Sequence, residues 1–128
     1  MAYIQSYREL IVWQRADELA VSVYGITKKF PREYLYDMTG QLRRAALSIP
    51  TNLAEGCASP HSGELLQFIN IANRSLSETR YLLEFSHKIG LIGAADLSGL
   101  DQRCLEVARM LKALNLSITK RKNSSSSK

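Results

Sequence analysis

The sequence predicts an all-α chain: an up-down antiparallel four-helix bundle with a left-handed twist, its second helix kinked at Pro50. Three observations predict it. Apolar residues recur at steps of three and four along four separate segments, and nowhere alternate with period two over the length of a strand. Glycine and proline, at 7 and 3 of 128 residues, are too few for the turns of a many-stranded sandwich or barrel. The breaks between segments are short, and short connections between long helices favour antiparallel neighbours. A hydrophobic content of 45% with 23% charged residues excludes wholesale disorder and is enough for one cored domain without metal or disulfides.

In the first segment Val12, Ala16, Leu19, Val23, Ile26 and Phe30 fall on one stripe, which predicts a helix over residues 8–29. Pro31 ends it, because the residue before a proline is driven out of the helical region. The second helix is expected over 36–57, with Met38, Leu42, Ala45, Ile49 and Leu53 on its buried side. Pro50 sits inside it and has no N–H for the carbonyl of Ala46, which predicts a kink. Asn52 stands where its side chain can donate to a freed backbone group nearby.

Ser59-Pro60 reads as a cap followed by proline at the first helical position, so the third helix is expected from there to Ile89, with Gly90 as terminator. Leu65, Ile69, Ala72, Leu76, Thr79 and Leu83 form its main seam. Phe68, Ile71, Leu82, Phe85 and Ile89 widen the apolar arc beyond what one side of a bundle needs, so this helix is either central or also meets another subunit. Phe68, Ile71, Leu82 and Phe85 are therefore the candidate oligomer interface. In the last helix Leu97, Leu100, Cys104, Val107, Leu111, Leu114 and Ile118 alternate steps of three and four, a 3.5-residue repeat that implies a left-handed crossing near 20°. Gly93 or Asp96 caps its start.

The net charge of +5 is unevenly placed. Lys120, Arg121, Lys122 and Lys128 lie in the last nine residues, and without them 13 cations face 12 anions. This divides the chain into a bundle domain over 1–119 and a basic, serine-rich tail over 120–128, whose Ser124–Ser127 run is low in complexity and expected to be disordered. Such a tail is either a solubilising terminus or a flexible arm for phosphate backbones. No run approaches the length of a membrane span, and Met1–Ile11 carries Arg8 and Glu9 where a signal peptide needs an apolar stretch, so a cytoplasmic location is expected.

Catalytic chemistry is thinly represented. Glu84-Phe-Ser-His87 places a carboxylate and an imidazole on one helical face, but bundle metal centres need two such pairs and two further Glu residues, and here there is one. Cys57 and Cys104 have no C-x-x-C spacing and read as packed thiols. No strained nucleophile elbow or glycine-rich phosphate loop is present. No enzyme activity, metal or cofactor is expected. Cations are more suggestive: Arg8, Arg15 and Lys29 share one side of the first helix, Asn70, Arg74, Tyr81 and Lys88 lie opposite the main seam of the third, and Arg43 and Arg44 lie off the buried stripe of the second. Each group is either a phosphate-contacting surface or an ordinary solvated face.

The stretch Gln41-Leu-Arg-Arg-Ala-Ala-Leu-Ser-Ile-Pro-Thr-Asn-Leu-Ala-Glu-Gly56 resembles the signature of the 23S rRNA intervening-sequence proteins, a bacterial four-helix-bundle family. Leu10-Ile-Val-Trp13-Gln-Arg-Ala16, Lys28-Lys-Phe-Pro31 and Glu64-Leu-Leu-Gln-Phe-Ile69 resemble its other segments, and the similarity spans residues 7–118. The resemblance implies a protein of the kind encoded within inserts in large-subunit ribosomal RNA genes. It also implies a fold like that of the accessory variability protein of diversity-generating retroelements, a strongly basic five-fold barrel that binds nucleic acid and a reverse transcriptase. A homopentamer follows by similarity. One departure is that the body here is nearly neutral, so RNA or DNA contacts are expected from Arg43, Arg44, Lys120, Arg121 and Lys122. The arginine pair has a structural alternative, pairing with Glu55 or capping helix ends across a subunit boundary. The functional expectation is a non-catalytic, homo-oligomeric, RNA-associated scaffold; the alternative is a protein–protein adaptor with no nucleic-acid role.

Overall fold

The structure, a computed structural model, describes residues 6–126. These residues form four α-helices and no strand: α1 (Ile11–Thr27), α2 (Gly40–Cys57), α3 (Ser62–Lys88) and α4 (Ala94–Ser126). α1 packs on α2, α2 on α3, α3 on α4, and α4 returns to α1, which closes a four-helix bundle. The core runs along the bundle's length. Leu19, Leu42, Ile49, Leu53, Leu65, Ile69, Leu76, Leu83, Leu111 and Ile118 are all fully buried. The apolar spacing in each segment therefore marks the face that leaves water, and that burial is the main force holding helices this amphipathic together.

α1 is shorter than the predicted 8–29. Tyr7–Glu9 form a 3-10 turn and Leu10 is extended before the helix begins. Arg8 thus leaves the α1 surface and lies over the Tyr7 ring, 4.6 Å from its centroid. At the other end Thr27 donates its hydroxyl to the carbonyl of Val23 at 2.8 Å, and Pro31 is extended, as a helix-terminating proline requires. Phe30 is buried there, whereas Ile26 is half-buried.

The approach to α2 differs from a plain helix over 36–57. Arg32–Tyr34 form a 3-10 turn, and Leu35–Thr39 form one π-helical turn that feeds into α2. The helix then continues through Pro50, which is buried. The side chains that follow the proline supply donors to the turn before it: Thr51 Oγ1 donates to the carbonyl of Leu47 and Asn52 Nδ2 to that of Ser48, both at 2.8 Å. Asn52 therefore does donate to a nearby backbone carbonyl, one turn back from itself. Its amide also meets Ser48 Oγ, which accepts from Ser75 Oγ of α3 at 2.9 Å, so the polar groups at this α2–α3 contact satisfy one another.

α3 begins at Ser62, not at Ser59-Pro60. Ser59 spends its hydroxyl earlier, accepting from the N–H of His61 at 3.1 Å in a tight turn, which leaves it unable to cap the helix. The helix ends on Gly90, the expected terminator, at φ +83. Gly90 N–H bonds to the carbonyl of His87 and Leu91 N–H to that of Ser86, the paired bonds of a Schellman motif. Gly93 stands at the start of α4, its carbonyl accepting from Leu97 N–H at 3.0 Å.

All six predicted seam residues of α3 are buried. Among the residues of its wider arc, Leu82 is only 5% exposed and is absorbed by the chain's own core, so it is unavailable to a second subunit. Phe68 is half-buried over Gly56 of α2, close enough that a Cβ at Gly56 would stand 2.8 Å from that of Phe68. Ile71 and Phe85 are half-buried, and Ile89 is exposed. α4 extends beyond residue 119, through Ser126, so the basic stretch continues the helix where an independent arm was expected; Ser127 and Lys128 lie outside the described residues.

Candidate nucleic-acid interface

The five cations singled out from the sequence do not form one surface. Arg43 and Arg44 sit in the first turns of α2, beside the end of α1. Lys120, Arg121 and Lys122 sit at the far end of α4. Because α4 runs antiparallel to α3, Lys122 arrives at the first turn of α3, its ammonium within 3.5 Å of where a Cβ on Gly63 would be. α2 ends at this same end of the bundle, so its length from Arg43 to Cys57, about 20 Å of helix, separates the two groups. Lys120 and Lys122 are exposed and Arg121 is half-buried.

Arg43 is held from two sides. Its Nε donates to Thr27 Oγ1 at 2.8 Å, and its guanidinium lies over the Tyr24 ring, 4.7 Å from the centroid. Stacking and a hydrogen bond together fix the plane of the group. Within the chain Glu55, the alternative partner for the arginine pair, stands at the other end of α2 from Arg43. Neither Thr27 nor Tyr24 was legible as a partner in the sequence, because both belong to α1 and meet Arg43 only through packing. Arg44 is exposed, its guanidinium reaching back over Gly40.

The remaining cationic groups are dispersed. Arg15 pairs with Glu18 at 3.3 Å and lies 3.9 Å from Glu106 of α4. On α3, Asn70 accepts from Asn115, and Tyr81 lies against Phe85, so Asn70, Arg74, Tyr81 and Lys88 spread along about 27 Å of helix and converge on no single point. Arg80 forms a bidentate pair with Asp101 of α4, at 2.8 and 3.3 Å, which holds its proton more tightly still.

The residues weighed for metal and catalytic chemistry have other tasks. His87 is half-buried and its Nδ1 donates to the carbonyl of Ile92 at 2.9 Å, pinning the α3–α4 turn. Among the described residues no group of His, Cys, Asp and Glu side chains is placed to hold a metal ion. Both cysteines are free thiols. Burial pushes the Cys104 thiol up to about 12 and raises that of Cys57 as well, the opposite of what a nucleophile needs. No helix of the described residues is long and apolar enough to cross a membrane.

The chain matches no curated protein. Among solved structures, a protein of unknown function from the S23 ribosomal protein family of Bacteroides thetaiotaomicron superposes with a TM-score of 0.77 at 23% identity, over 82% of this chain and 95% of that chain. At that identity the likeness is one of fold. The model of the 23S rRNA-intervening sequence proteins matches residues 8–113, all of α1 to α3 and most of α4. The chain belongs to the 23S rRNA-intervening sequence protein family.

Proposed function

We propose that the protein is a non-catalytic, self-associating helical bundle that binds RNA through the basic end of α4. The observation that carries this reading is the continuation of α4 past the bundle core, which sets Lys120, Arg121 and Lys122 on a helix beside the first turn of α3. The positive N-terminal end of α3 adds to these three cations, while Glu64 in its first turn and the negative C-terminal ends of α2 and α4 subtract, and three full positive charges keep the balance positive where a phosphate backbone can lie. The name of the family associates its members with ribosomal RNA genes, which supports RNA over other polyanions.

Self-association rests on α3. Tyr81, Phe85 and Ile89 follow at intervals of four along its outer side, and Tyr81 and Ile89 are 59% and 41% exposed. With Ile71 and Phe85 half-buried, this strip is the surface a sister copy covers, and a homopentamer is the assembly we propose.

Binding to structured RNA across a salt series tests the first part. The affinity falls with salt with a log–log slope of about −0.7 to −0.9 per phosphate neutralised. The Lys120→Gln/Lys122→Gln variant binds more weakly and with a shallower slope. Absence of binding at low salt removes the reading, and recovery of a protein partner that survives nuclease treatment favours an adaptor. Mass measurement in solution tests the assembly, which a monomer at all concentrations overturns.

A further inference from the structure

We propose that the cleft between the end of α1 and the start of α2 is a binding site for a phosphate monoester. Thr27, Lys28, Arg32, Leu35, Thr39 and Arg43 line it, around a volume of about 350 Å³. That is the lower end of the range for small-molecule sites and suits a small phosphorylated ligand. Three of the lining side chains are cations and none is a carboxylate. Like charges brought into one concavity repel, and an anion seated among them relieves that repulsion.

Arg43 supplies the geometry. Thr27 spends its hydroxyl proton on the carbonyl of Val23, so its oxygen is available as an acceptor for Arg43 Nε, and the Tyr24 ring supports one face of the guanidinium. The two outer nitrogens have no hydrogen-bond or ion-pair partner among the described residues. An arginine held by Nε and by stacking, with its terminal pair of N–H groups free, is a preorganised fork for two oxygens of one phosphate.

The backbone contributes a second observation. The π-helical turn over Leu35–Thr39 joins α2 next to this cleft, and single π turns occur often at functional sites. Thr39 and Arg43 are one helical turn apart and both line the cleft. The nearby carboxylates, Glu33 and Asp37, are exposed and outside the lining, and Asp37 accepts from the N–H of Met38. The site stands at the end of the bundle away from Lys120 and Lys122 and does not depend on the RNA-binding reading.

A free small ester and the terminal phosphate of an RNA strand share this chemistry. Calorimetry on the full chain at constant ionic strength tests it, with inorganic phosphate, adenosine 5′-monophosphate, adenosine, and one oligoribonucleotide with and without a 5′-phosphate. Inorganic phosphate and the monophosphate should bind saturably and compete, while adenosine is silent. Lys28→Gln and Arg32→Gln, at exposed positions, should each weaken phosphate by about tenfold without moving the melting temperature of the unliganded protein. Arg43→Lys keeps the charge but loses the fork, and should weaken it at least as much. Lys120→Gln/Lys122→Gln should leave phosphate affinity unchanged, which separates failure of this site from failure of RNA binding. An oligonucleotide that binds more tightly than the monophosphate only when 5′-phosphorylated assigns the site to RNA ends; equal affinity assigns it to a small ester. No saturable binding of phosphate or the monophosphate, or affinities unchanged in the Lys28, Arg32 and Arg43 variants, overturns the proposal.

Discussion

Trp13 donates its indole N–H to the carbonyl of Pro50 at 3.2 Å, tying α1 to α2 at the residue where α2 has no amide hydrogen of its own. The ring is held edge-on by Tyr7, with centroids 4.8 Å apart. The first turn of α1 is thereby anchored against the later half of α2, and the 3-10 turn before α1 is folded onto the same spot.

Trp13→Phe keeps most of the ring and removes the donor. The expected cost is about 1 kcal/mol, the net value of one such hydrogen bond, together with a smaller packing loss. Thermal unfolding followed by circular dichroism measures it. Because the acceptor is a backbone carbonyl, the same cost should persist in a Pro50→Ala background, and a cost that vanishes there would point to packing on the proline ring instead.

Gly56 and Gly25 should respond oppositely to alanine. A Cβ at Gly56 meets Phe68 Cβ at 2.8 Å and Leu65 Cδ1 at 3.0 Å, and the first of these is fixed to the α3 backbone. Gly56→Ala should therefore push α2 and α3 apart and destabilise by about 1–3 kcal/mol, outweighing its better helix propensity. Gly25 lies inside α1 with nothing within 4 Å of the added carbon, so Gly25→Ala should stabilise by about 0.5–1 kcal/mol. Denaturant midpoints of the two variants check the sign.

Cys104 gives a pH signature. Burial raises its pKa from 9.0 in an exposed thiol to about 12 in the folded chain. Between those values the unfolded chain has lost the proton and the folded one retains it, so stability is full below pH 9 and declines as pH rises towards 12. Cys104→Ala should be less stable at neutral pH, through the small cavity it leaves, but its stability should fall less steeply over pH 9–11. Under native conditions a thiol reagent should modify half-buried Cys57 first and reach Cys104 only on unfolding.

The Arg80–Asp101 pair should contribute little despite its good geometry. Both side chains are about 40% exposed, at 43% and 37%, so solvent screens them. A double-mutant cycle with Arg80→Gln and Asp101→Asn should return a coupling of about 0.2–1 kcal/mol that shrinks in 1 M salt.

The helices were legible because their signal is local. The α3 seam, Leu65 through Leu83, follows from spacing alone, and all six of its residues are buried. Gly90 was legible for a similar reason, since a helix end that needs positive φ calls for glycine. The start of α3 was not, because Ser59 has two local uses for one hydroxyl and the turn took it. The π turn at Leu35–Thr39 was hidden because one widened turn leaves the apolar spacing on either side nearly intact. Leu82 was assigned outward because periodicity ranks faces without knowing how close a neighbour comes, and α3 is flanked closely by both α2 and α4. At the candidate sites the residue types were visible, but Arg43 meeting Tyr24 and Thr27, with Lys122 standing at the opposite end, is a matter of how distant segments dock.

The widened turn before α2 has a consequence for how this chain tolerates change in length. A π turn holds one residue more than an α-helical turn, so each of its residues winds through less than the roughly 100° of an α-helix. Deleting one residue within 35–39 would let the segment relax to ordinary winding and leave the interior from Leu42 onward undisturbed. Everything upstream would keep nearly its present direction, because a π turn spends its extra residue on a wider turn and not on a further rotation. Loss of a single residue in this stretch should therefore be absorbed locally, altering the Leu35–Thr39 wall of the cleft while the bundle itself stays the same.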